Sequence, residues 1–167
     1  MTIIVFTKAE LNSQERIADD VERIAFLDSN YAYDAAKGHA GKLTAWLQGA
    51  PDRFLTVIAY HDSTALLNGK TFMSETNGTW GRSHAMLEDL GKTFHFTKTT
   101  DGLLEPHSAL AGRMVFFLME NPEKAVLHTR LVGRNGYLHA LLTGTAGAGQ
   151  DYHFFGEPVY GKLISGF

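Results

Sequence analysis

Eight histidines and no cysteine occur among the 167 residues, so proton transfer in this chain falls to imidazoles and carboxylates. The missing cysteines exclude a disulfide framework, a thiolate zinc centre, an iron–sulfur site and a cysteine nucleophile. Histidine metal pairs announce themselves as His-x-x-x-His or His-x-His. Here the shortest intervals are 11 residues, His84 to His95 and His128 to His139. Only a hairpin over 126–142 would bring the second pair together, and no metal site is assigned. Gly-x-Gly-x-x-Gly, a phosphate loop with Lys-Ser/Thr and Gly-x-Ser-x-Gly are all missing. Gly144-Thr145-Ala146-Gly147-Ala148-Gly149 has no basic helix after it and reads as a loop. Asn77-Gly78-Thr79 matches a glycosylation sequon, which is expected to be fortuitous because no secretory signal is expected in this chain.

The elements that must position these residues follow from patterning. Residues 2–7 read as a short strand. Asn12 and Glu15 form a capping-box signal, and Ile17, Val21, Ile24 and Ala25 fall on one helical face, ending at Asp28-Ser29-Asn30. A second helix is expected from Tyr33 to Gln48, stopped by Gly49-Ala50-Pro51. Phe54–Tyr60 is apolar on both faces, as in a central strand, and His61-Asp62-Ser63 is a turn. A returning strand follows over 64–73, then one or two helical turns through Ala85, Met86, Leu87 and Leu90, then a strand over 92–99 that Leu103–Pro106 extends. Ser108–Glu120 fits either a helix or a buried strand, because periodicity does not separate the two in short apolar runs. Ala125–Val132 alternates like a strand. Gly133–Gly136 is either a hairpin turn or, with Asn135 as cap, the start of a short helix. Two last strands are expected at 152–155 and 159–164.

Fifteen basic against 18 acidic residues give a net charge of −3, and no basic run is present. Nucleic acid is therefore not an expected partner. No apolar run approaches the ~20 residues of a membrane span, so a soluble, cytoplasmic protein of one domain (1–167) is expected.

With helices at both ambiguous segments, the order is β-α-α-β-β-β-α-β-α-β-β. This order, the strand at 125–132 leading to Asn135, and the closing Tyr160–Phe167 stretch resemble the GNAT N-acyltransferase superfamily, particularly its divergent phage members. The resemblance implies an α+β fold, a mixed, mostly antiparallel sheet with helices on both faces. It also implies transfer of an acetyl or other acyl group from coenzyme A to an amine, on a small molecule or a protein. The family signature Gln/Arg-x-x-Gly-x-Gly/Ala would fall on His107-Ser108-Ala109-Leu110-Ala111-Gly112. His107 replaces Gln or Arg there, Leu110 replaces the first glycine, and Gly112 conforms. Cofactor contacts are thereby expected from Leu103, Leu104, this stretch, Arg113 and Asn135, through backbone amides at a helix start. Such a reaction needs a base for the amine. His95 and Glu105 near the fourth strand are its first candidates and His128 on the fifth is the next. Tyr137 and Tyr152 have an acid's chemistry but read first as core aromatics.

Two other readings compete. His95-Phe96-Thr97 resembles half of the paired His-x-Thr/Ser pattern of two-histidine phosphoesterases, but its partner would be His61-Asp62-Ser63, in a turn. A Phe-rich domain without a catalytic motif also suits a structural or assembly role, for example in a virion. Helix at 108–119 and a cleft between splayed strands favour the enzyme; a continuous hairpin through Gly133–Gly136 favours the structural protein.

Overall fold

The two most apolar stretches of the chain, Phe54–Tyr60 and Met114–Met119, lie side by side in the middle of one sheet. A computed structural model describes residues 2–5 and 15–160. The strands are β1 (Thr2–Val5), β2 (Val21–Leu27), β3 (Phe54–Tyr60), β4 (Leu66–Leu67), β5 (Lys70–Thr71), β6 (Thr97–Lys98), β7 (Leu104–Ala109) and β8 (Met114–Met119). The helices are α1 (His39–Gly49), α2 (Thr79–Gly91), α3 (His128–Leu131) and α4 (Tyr137–Leu142). A π-turn over Val132–Gly136 joins the last two.

Six strands form the main sheet in the order β1-β2-β3-β8-β7-β6, and β4-β5 is a separate small hairpin. β1, β2, β3 and β8 run parallel to one another, while β7 and β6 are antiparallel additions. The α+β class and the mixed sheet are as expected. The antiparallel majority is not, since three ladders are parallel and two antiparallel. Buried side chains alternate between two cores. Leu55, Val57, Ala59, Met114, Phe116 and Leu118 pack under α1 and α2. Ile58, Tyr60, Val115, Phe117 and Met119 pack under Leu127, just before α3, Leu131 of α3 and Ala140 of α4. Central strands covered on both faces are continuous apolar runs, as these are. Among the described residues, no helix is long and apolar enough to cross a membrane.

Five expectations change. The helix expected to end at Asp28 is strand β2 over its second half; Ile24 and Ala25, both on the expected helical stripe, point into opposite cores, which one helical face does not allow. Its start at Asn12 lies outside the described residues. The expected helix at 108–119 is the end of β7, a left-handed turn at Leu110–Gly112, and β8. All six residues of β8 are buried, and a strand between two others hides both of its faces, whereas a helix resting on a sheet does not. Conversely, Ala125–Val132 is not a strand: Leu127 and Leu131, four apart, reach one core as a helical turn. The segment at 92–99 contributes only β6, and 152–155 contributes no strand.

Candidate active site

Parallel strands deliver their carboxyl ends to one edge, where α/β proteins bind ligands. β2 ends at Leu27 and is followed by Asp28; β3 ends at Tyr60 and is followed by His61 and Asp62. Adjacent strands thus set two carboxylates near each other, only 1% and 2% exposed. The amino end of α2 lies against both. The backbone N–H of Thr79 donates to Asp62 Oδ2 at 2.7 Å, and that of Trp80 to Oδ1 at 3.4 Å, so Asp62 caps a helix from another element. Gly78 precedes this turn, and a Cβ there would collide with the Asp62 carboxylate. The Thr79 hydroxyl donates to Asp28 Oδ1, while its oxygen lies 3.2 Å from Asp62 Oδ2.

The second oxygen of Asp28 meets His128. Nδ1 of His128, the first residue of α3, lies 2.7 Å from Asp28 Oδ2. A buried carboxylate at that distance holds the proton on Nδ1 and fixes the ring's orientation. Nε2 is left without a partner among the described residues, on a side chain 46% exposed. Burial pushes the Asp28 carboxyl above its ordinary range, opposed by its bonds to Thr79 and His128. Tyr31 flanks the imidazole, with ring centroids 6.5 Å apart, and is half exposed. Burial, with the charges of Asp28 and Asp62, pushes the Tyr31 and Tyr60 phenols up to about 12. Both therefore remain hydrogen-bond donors through neutral pH. Around this centre, His61 stacks on Trp80 at 4.4 Å and faces Glu75 and Glu120, each at 3.2 Å.

Of the three expected bases, only His128 enters this centre, and it does so from a helix. His95 is exposed in the connection between α2 and β6. Glu105 lies on β7, where Lys98 Nζ at 2.8 Å holds its carboxyl below the ordinary range. Its neighbour His107 has its pKa lowered, by burial first.

The expected cofactor residues do not gather at a helix start. Leu103 is exposed just before β7; Leu104, His107, Ser108 and Ala109 are β7 residues paired across to β8. Leu110, Ala111 and Gly112 form the left-handed turn. Arg113 donates to the carbonyls of Leu47, Ala50 and Arg53, closing the end of α1. Asn135 is buried and does not cap a helix; its side chain bonds the backbone of His153, Glu157 and Val159. No metal-sized group of three or more His, Cys, Asp or Glu side chains occurs among the described residues. His128 and His139 do not share a site, because His139 packs among Phe117, Tyr152 and Phe154 in the core under α4.

Asp28 and Asp62 escaped sequence reasoning because Asp-Ser after an apolar run reads as a turn. The signal available was their shared position, within two residues of the carboxyl ends of two buried strands. Comparison with protein-family models, with curated proteins and with solved structures finds no match.

Proposed function

We propose that the protein is an acyl-transfer enzyme in which His128 is the general base and Asp28 its orienting carboxylate. The single observation that carries this reading is the 2.7 Å contact between a buried Asp28 and the Nδ1 of a half-exposed His128. It leaves Nε2 ready to remove a proton from an attacking nucleophile. In the reaction that the sequence resemblance implies, an amine attacks the carbonyl of a coenzyme A thioester. The C–N bond forms as Nε2 takes the amine proton; the C–S bond then breaks, the carbonyl re-forms, and the proton held on Nε2 passes to the departing thiolate, which restores the neutral imidazole. Thr79 positions Asp28, and the Tyr31 phenol supplies a donor beside the imidazole. The donor group rests on sequence likeness alone, since β7, the turn and β8 stand where a pyrophosphate-binding helix start was expected.

Calorimetric titration with acetyl-coenzyme A and coenzyme A tests the donor, and thiol release in the presence of amines tests the reaction. The expected result is a Kd in the micromolar range, about −8 kcal/mol, and turnover that falls about 10²–10⁴-fold in His128→Gln. No heat and no shift in melting temperature at millimolar ligand would remove coenzyme A and favour a non-enzymatic assembly role.

A further inference from the structure

Two arginines converge on one phenyl ring beyond the carboxyl end of β8. The guanidinium carbons of Arg130 and Arg134 lie 5.9 and 5.3 Å from the Phe155 ring centroid. Both fall within the range of cation–π attraction. Neither guanidinium forms an ion pair or a hydrogen bond among the described residues. Together they line a cavity of about 200 Å³ whose apolar wall is Leu103, Met119, Leu127 and Phe155. Glu120 and Glu123 also border it, but Glu120 turns its carboxylate to His61 and Glu123 is exposed and unpaired with either arginine.

The backbone is bent to build this corner. Phe155 adopts φ +59°, a left-handed conformation that is a genuine outlier for a bulky residue. Its N–H donates to the Arg134 carbonyl at 2.9 Å, so the ring is tied to the arginine it supports. Arg134 itself lies in the π-turn, a helix irregularity that recurs at functional sites. Backbone strain at Phe155, whose ring faces the cavity, beside paired positive charge left unmatched, is a mark of a binding site.

We propose that this cavity binds a small amphiphilic anion. Its carboxylate or phosphate oxygens bridge Arg130 and Arg134, and its apolar body lies against Leu103, Met119 and Leu127. Guanidinium forks match both oxyanions in geometry. The volume is below the ~300–1,000 Å³ of ordinary ligand pockets, which limits the body to about one ring or a short chain. The site is independent of the acyl-transfer reading: Leu127 faces the cavity, whereas its neighbour His128 faces Asp28.

The full chain, titrated with benzoate and with phenyl phosphate and followed by amide chemical shifts and calorimetry, tests the proposal. At least one of the two binds with a Kd of about 1 mM or tighter, and the tighter one identifies the oxyanion. Phenol, which lacks the charge, and inorganic phosphate, which lacks the ring, bind at least about tenfold more weakly. Arg130→Gln and Arg134→Gln each weaken the anion by about tenfold or more, and His128→Gln leaves it unchanged. No binding at about 10 mM probe, equal binding of phenol, or an unchanged Kd in the arginine variants overturns the assignment. Arg130 is exposed, so its variant decides the matter even if Arg134→Gln fails to fold.

Discussion

A carboxylate that is 1% exposed must have its oxygens filled by the protein, and Asp28 has one filled by Thr79 and the other by His128. Thr79→Val keeps the shape of the side chain and removes the donor. It is expected to cost about 1–3 kcal/mol, because Asp28 Oδ1 is left buried without a partner. Urea unfolding measures this, and Thr79→Ser should restore most of the loss. An unchanged midpoint in the valine variant would show that Asp28 does not depend on the hydroxyl. His128 was legible as a candidate base at this scale because imidazole is the side chain suited to the task. Its partner was not legible, since Asp28 lies 100 residues away and only the folded sheet edge joins them.

At the scale of elements, the π-turn between α3 and α4 is organised by one side chain. Asn135 sits fully buried at φ +65°. Its amide nitrogen donates to the carbonyls of His153 at 2.9 Å and Glu157 at 2.8 Å, and its oxygen accepts from the Val159 N–H at 2.9 Å. The sequence reads Gly133–Gly136 as a hairpin turn or Asn135 as a cap, and the left-handed conformation is what an Asn-Gly pair favours. The structure uses it to fasten the segment 153–159 against the helices. Asn135→Ala loses all three bonds and places a Cβ residue without local hydrogen bonding at positive φ, at an expected cost of roughly 3 kcal/mol or more. Hydrogen exchange over 150–160 should accelerate in that variant, with Asn135→Gly less destabilised than alanine because the backbone penalty is relieved. Protection equal to the wild type would mean that the segment is held by its ring contacts instead. The element types that went astray share one cause. Short runs such as Val21–Leu27 and Met114–Met119 satisfy both helical and strand spacing, and what decides is whether one face or two will be covered.

For the whole molecule, the core under α3 and α4 contains a titratable ring. Burial pushes His139 down to about 4, between Phe117, Tyr152 and Phe154. The unfolded chain takes up this proton near pH 6.5, before the folded one does. Stability from this residue is therefore complete above about pH 6.5 and is lost as pH falls toward about 4. The slope is at most about 1.4 kcal/mol per pH unit, and less in practice because the ring is only partly shielded from water. Unfolding free energies measured between about pH 7 and about pH 5 should show a decline in the wild type that flattens in His139→Gln. Parallel declines in the two proteins would assign the acid sensitivity to other groups.

The sequence by itself determined the mixed α+β composition, the central strand at Phe54–Tyr60 and the helix stop at Gly49-Ala50-Pro51. Each of these rests on local chemistry, such as an apolar run or a chain breaker. The tertiary structure alone decided that β8 inserts beside β3, that the sheet's core is parallel, and that Asp28, Thr79 and His128 meet. The physical reason is that strand pairing and the juxtaposition of chain ends at a sheet edge are non-local. Their energies come from burial on both faces of a strand and from satisfying buried oxygens, neither of which is encoded in any window of ten or fifteen residues.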